Sequence, residues 1–170
     1  ALRFDLSRIP DLINDRPPSV PSIDEIERGV RWVTGDNETD YDAVADFLER
    51  AAKAPETGLD YETTMLRPYL PVGPWPEGSG GSARILTVAI STGDETLAFP
   101  VHHPKGWQGD VRLQLSVTRL LIDFIAESGV KVAHNLIFEL EWTGHQLAVE
   151  LLRARWGDSM AAMFTLDSRK

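Results

Sequence analysis

Hydrophobic and polar positions repeat with two different periods along this chain, and each change of period marks an element. Val30-Arg31-Trp32-Val33-Thr34 reads as a strand. After the polar stretch Gly35-Asp36-Asn37-Glu38, Tyr41, Val44, Ala45, Phe47, Leu48 and Ala51 recur at helical spacing. They predict an amphipathic helix that starts at Thr39 or Asp40, turns its stripe to a core and is ended by Pro55 and Gly58. Gly58-Leu59-Asp60-Tyr61-Glu62-Thr63-Thr64 then reads as a short strand. Arg84–Ser91 is a second strand, Thr92-Gly93-Asp94 supplies a turn, and Glu95–Val101 returns as the hairpin partner. With the Asp60 strand this predicts a three-stranded antiparallel meander.

A second helix is predicted from Val111 to Glu127, with Leu113, Leu115, Val117, Leu120, Leu121, Phe124 and Ile125 on a broad apolar face. Ser128-Gly129 ends it, glycine being suited to a left-handed cap. Val130–His134 is a short strand of buried type. It arrives through a helical crossover and is therefore expected to run parallel to an earlier strand. Asn135 is a favoured N-cap for the helix that follows, with Leu136, Leu140, Leu147 and Leu151 marking its buried side. Asp158 or Ser159 caps a final helix.

Two stretches carry no regular pattern. Residues 1–29, broken by Arg16-Pro17-Pro18-Ser19-Val20-Pro21, read as an arm or linker in which Ser22 caps a short helix, Ile23 to Arg28. Met65 to Ser82 holds Pro68, Pro71, Pro74 and Pro76, and loops of this length are usually functional or disordered. Trp75 lies within it, as a lid, a partner contact or part of a mobile surface loop.

At 170 residues, the pattern describes one domain over 30–170 with room for a sizeable core. No apolar run is long enough to span a bilayer, so no membrane partner is expected. The chain has no cysteine, which rules out disulfides and thiolate metal sites and is compatible with a cytoplasmic location. A net charge of −9 argues against gripping duplex nucleic acid through a broad basic surface. An enzyme that handles one nucleotide end through bound cations stays open.

The candidate chemistry is acidic. Asp60 and Glu62, two residues apart in a strand, project from one face, with Tyr61 on the other. Two carboxylates facing one space repel unless a cation lies between them, and oxygen ligands suit Mg²⁺ or Mn²⁺. Glu139 lies about one turn into the helix that opens at Asn135; on this segment alone it reads as a solvated helix acid like Glu141 and Glu150, in preference to a site residue. His102 and His103, adjacent in an extended chain, point to opposite sides and are expected to act as loop or substrate contacts and not as joint metal ligands.

Taken in order, Asp60-Tyr61-Glu62-Thr63, Asn135 followed four residues later by Glu139, and Asp158-Ser159-Met160 resemble the motifs of the proofreading 3′→5′ exonuclease domain of family A, phage-type DNA polymerases. That family lies within the DEDD (DnaQ-like, ribonuclease H-like) superfamily, and the resemblance runs from about Val30 to Lys170. It implies an α/β ribonuclease H-like fold, an antiparallel meander joined to a parallel strand and flanked by helices. It departs from the family in two places. The second motif's acid is usually aspartate and here is Glu139. The third motif, Y-x3-D or H-x4-D, is absent and would fall past Lys170, so the domain is expected to be incomplete at its C-terminus, a piece of a longer polypeptide.

What the resemblance implies is a two-metal nuclease, with two divalent cations, Mg²⁺ or Mn²⁺, about 4 Å apart. Asp60, Glu62 and Glu139 are then the catalytic and metal-holding residues. Thr63, Thr64, Asn135 and Phe138 touch the terminal nucleotide. The expected partners are a single-stranded or frayed DNA 3′ end and a polymerase domain of the same longer chain, in the cytoplasm of a bacterium or a phage-infected host cell. Lacking the third motif, the chain is expected to cleave slowly or not at all. Three alternatives stay open: an RNA-processing DEDD exonuclease, a non-catalytic DNA- or polymerase-binding module of the same fold, and an unrelated α/β binding protein.

Overall fold

The computed structural model of the chain describes residues 22, 24, 25, 29–69, 83–127, 129–150 and 154–167. Its centre is a six-stranded mixed sheet. In chain order the elements are β1 (Val30–Trp32), α1 (Glu38–Ala51), β2 (Glu56–Thr63), β3 (Ile85–Ser91), β4 (Thr96–Pro100), α2 (Val111–Ala126), β5 (Val130–Ala133), α3 (Leu136–Trp142), β6 (Arg155–Asp158) and α4 (Ser159–Asp167). Across the sheet the strands lie in the order β1-β4-β3-β2-β5-β6.

The expected meander is present. β2 pairs antiparallel with β3, and β3 with β4, the hairpin closing through Thr92 N–H donating to the Glu95 carbonyl at 3.0 Å. β5 runs parallel to β2, as its helical crossover requires. Residues 155–158 show no period-two pattern and were not expected as a strand. They form β6, parallel to β5, with Ala133 in register with Asp158.

Burial follows the two periods. In β2, Thr57, Leu59 and Tyr61 are buried while Asp60 and Glu62 are open. Their partner strand shifts register between Glu62 and Thr63, and the bulge changes the direction of the chain next to the carboxylates. One continuous core joins Val44, Phe47 and Leu48 of α1, Val88, Ile90 and Phe99 of the sheet, and Val117, Leu121 and Phe124 of α2.

Several boundaries differ from expectation for local reasons. The first helix starts at Glu38, not Thr39 or Asp40, because the Asn37 side chain accepts the Asp40 N–H at 3.0 Å and takes the N-cap. Gly58 does not lie in the loop that ends the helix; it is inside β2, paired on both sides with Ser91 and Val132. Leu115 lies on the outer face of α2, 63% exposed, apart from the apolar stripe. Gly129 does take a positive φ of 122°, but the helix itself ends in an extended Glu127. Ser22 and Glu25 exchange the reciprocal bonds of a capping box, Ser22 N–H to Glu25 Oε2 at 2.8 Å and Glu25 N–H to Ser22 Oγ at 3.3 Å. The remainder of that expected helix, and Trp75 with most of its loop, lie outside the described residues.

Candidate active site

β2 is hydrogen-bonded to β5 only from Glu56 to Gly58. Beyond Gly58 the two strands part, and the fork between them opens beside the outward-facing Asp60. The first turn of α3 enters it from the end of β5. Glu139 lies close enough to the Tyr61 backbone N–H for that donor to favour its charged form.

Glu139 is therefore not a solvated acid. It is 1% exposed, and its Oε2 has no hydrogen-bond partner. The leucines expected on the buried side, Leu136 and Leu140, are only half buried; Leu151 lies outside the described residues, and Glu139, Trp142, Thr143 and Leu147 face inward. The helix is turned so that its acid meets the fork. Burial raises the Glu139 carboxyl to about 7, the Asp60 charge adds to this, its own backbone N–H and that of Tyr61 oppose it, and Asp158 raises it further.

Asp60 reaches solvent on one side, yet partial burial raises its carboxyl as well, the Glu62 charge adds, and His134 opposes. Of the two acids, Glu139 is the more enclosed. His134, at the tip of β5, is a site neighbour that the sequence pattern placed only at the end of a strand. Its Nδ1 lies 3.2 Å from Ser159 Oγ, which in turn donates to the Ala133 carbonyl at 3.2 Å.

Asp158, expected as a helix cap, caps two helices. Its Oδ1 accepts the N–H groups of Met160 at 2.9 Å and Ala161 at 3.2 Å, at the start of α4. Its Oδ2 accepts Leu136 N–H at 3.3 Å, at the start of α3. That second role was expected of Asn135, which instead sits in the left-handed region at φ 64° with no side-chain cap bond. A residue so placed turns its side chain away from the helix it precedes, and the start of α3 is served from β6.

The expected nucleotide contacts are placed variously. Thr63 Oγ1 donates to the Met65 carbonyl at 2.7 Å, and Thr64 Oγ1 accepts the Arg84 N–H at 3.0 Å, so both hydroxyls brace the chain leaving the bulge. Asn135 is exposed beside His134. Phe138 packs against the core, its ring centroid 6.2 Å from that of Trp142. His102 is turned toward α2, Nε2 lying 3.4 Å from Thr118 Oγ1, while His103 Nδ1 accepts the Lys105 N–H at 3.2 Å.

Among the described residues no three His, Asp or Glu side chains converge tightly enough to cage an ion. The donor set nevertheless fits a hard divalent cation. A buried carboxylate oxygen without a donor, facing a second carboxylate, is relieved by a cation. Mg²⁺ in particular is commonly held by one or two carboxylates, with water and substrate phosphate filling the other positions.

No family model matches the chain, and no curated protein matches it. Solved structures do. The chain is similar to the EXO domain of Aedes aegypti Nibbler at 11% identity and a TM-score of 0.51, over 83% of this chain and 57% of that one. It is also similar to S. pombe Pop2p, in a Mg²⁺- and Mn²⁺-bound form, at 12% identity, TM-score 0.48, over 81% of this chain and 76% of that one. Escherichia coli RNase D, an exoribonuclease, aligns at 18% identity and a TM-score of 0.43, over 70% of this chain and 24% of that one. The described part spans little more than half of the Nibbler domain. The chain has the fold of a ribonuclease H-like exonuclease domain, a mixed six-stranded sheet flanked by helices.

Proposed function

We propose that this domain is a metal-dependent 3′→5′ exonuclease acting on single-stranded or frayed 3′ ends. The observation that carries the reading is the meeting of Asp60 and the buried, partnerless Glu139 Oε2 at the fork between β2 and β5. Asp60 and Glu139 would hold a divalent cation, with Glu62 beside Asp60 on the same strand face. When bound, such a cation lowers the pKa of an attacking water and offsets charge on the leaving 3′ oxygen.

The chain's own residues set the conditions for that chemistry. Glu139 must give up its proton to become a ligand, and its raised pKa places that loss near neutrality. His134, exposed at the rim, balances the charge of Asp60. Asn135, held in the open beside it, has a free side chain for a terminal nucleotide. The same chemistry serves a proofreading domain beside a polymerase domain of one longer chain and an RNA-processing enzyme. DNA and RNA ends are therefore both substrates to test.

A second reading, a non-catalytic nucleic-acid or polymerase-binding module, is favoured by the lack of a three-ligand cluster among the described residues. Digestion of 3′-labelled DNA and RNA oligonucleotides with Mn²⁺ separates the two. Shortening from the 3′ end that disappears in Asp60→Ala/Glu62→Ala supports the exonuclease. Retained oligonucleotide binding without shortening in either nucleic acid supports the module. A preference for one sugar decides between proofreading and RNA processing.

A further inference from the structure

Tyr61 separates the two strand carboxylates in sequence, faces away from both, and meets the end of α3. Its phenol oxygen lies 3.0 Å from Thr143 Oγ1. Glu139 and Thr143 are four residues apart, on one helix face and about 6 Å apart along the axis. The tyrosine hydroxyl thus grips the helix one turn beyond its acid.

All three residues are buried, with Tyr61 4%, Glu139 1% and Thr143 0% exposed. Burial also raises the Tyr61 hydroxyl above its ordinary range, so it stays protonated. Hydrogen bonds in such an interior are directional and strongly felt. Thr143 is also the residue at which α3 widens into a π-helical turn, Thr143–Leu147, a local distortion that needs a fixed point to hold the helix rotation. Packing alone would be served as well by phenylalanine; the hydroxyl contact is an added constraint.

We propose that Tyr61 is a positioning residue: by holding the end of α3 at Thr143, one turn beyond Glu139, it sets how the Glu139 carboxyl faces Asp60, and so tunes the site's hold on a divalent cation. The second half rests on the exonuclease reading; the first half does not.

The test compares wild type with Tyr61→Phe and Thr143→Val, using Val117→Ala in the α2 core as a control that lowers stability elsewhere. Amide exchange in the metal-free protein is read first. In both hydroxyl variants the amide of residue 143, which donates to the Glu139 and Leu140 carbonyls, should exchange about fivefold faster, the loss expected for one supporting hydrogen bond. A Mn²⁺ titration followed by electron paramagnetic resonance is read second, and its midpoint should rise about tenfold, as for an outer-shell partner of a metal ligand. Val117→Ala should lower the melting temperature and move neither reading. The proposal is overturned if Tyr61→Phe behaves like Val117→Ala, or if exchange quickens while the Mn²⁺ midpoint stays put. Should wild type take up no Mn²⁺, the exonuclease reading fails and the exchange result alone decides the clamp.

Discussion

Among single side chains, Glu139 has the largest consequence. Its carboxyl is raised to about 7 against an ordinary value near 4.5. The folded state therefore binds a proton that the unfolded chain releases earlier. The associated stability is fully present below about 4.5 and is lost as pH rises through about 7. In metal-free protein, thermal unfolding followed from pH 4 to 8 should show this decline, and Glu139→Gln should flatten it, the two curves diverging by on the order of a few kcal/mol at the alkaline end. Asp60→Asn removes the second cause of the shift, so the Glu139 carboxyl, followed by carbon NMR, should titrate at lower pH than in wild type. An unchanged titration would mean that burial alone sets it. On the proposed exonuclease reading, activity should rise with pH through the same range, because the proton and the cation compete for one group. The strand acids were readable because a period of two is short and strict. The burial of Glu139 was not, since half-apolar faces of a seven-residue helix can be turned either way, and only the fork at Gly58 decides which side is inward.

Helices and strands here depend on residues distant in sequence. Asp158 anchors the starts of α3 and α4 together. Asp158→Ala should cost about 1–2 kcal/mol per cap lost in urea unfolding, more than an ordinary single cap. By contrast, Asn135→Gly should stay within about 0.5 kcal/mol of wild type, because its left-handed backbone needs no side chain that caps. Gly35 presents the opposite case. A Cβ there would meet Trp107 N at 2.6 Å and its ring at 2.7 Å, and the backbone φ is already +79°. Trp107 cannot retreat, since it is fully buried and its Nε1 donates to the Pro100 carbonyl at 2.9 Å. Gly35→Ala should destabilise by about 2 kcal/mol or more in the same assay. α1, α2 and the meander could be read from periodicity because each presents a long repeat. Arg155-Trp156-Gly157-Asp158 has no such repeat, and it becomes a strand only because β5 offers it an edge.

The molecule as a whole carries a net charge of −9, and its candidate site is itself acidic. Association with single-stranded oligonucleotide should therefore be weak without divalent cation, and its salt dependence shallow, as 26 acidic residues oppose the 17 lysines and arginines. Fluorescence anisotropy at several salt concentrations, with Asp60→Asn in place of wild type, would measure this slope; a steep one would reveal a local basic path despite the net charge of −9. The sheet order also divides the molecule by how its parts can come together. β3 and β4 are joined by a turn of a few residues, whereas β5 joins β2, and β6 joins β5, only through long parallel crossovers. Closing a short hairpin is fast, and bringing distant parallel strands into register is slow. In pulse-labelled refolding, the amides of β3 and β4 should be protected before those of β5 and β6. A chain still emerging from the ribosome would thus carry Asp60 and Glu62 for some time before Glu139 arrives to face them, and the acidic fork is among the last features of the molecule to exist.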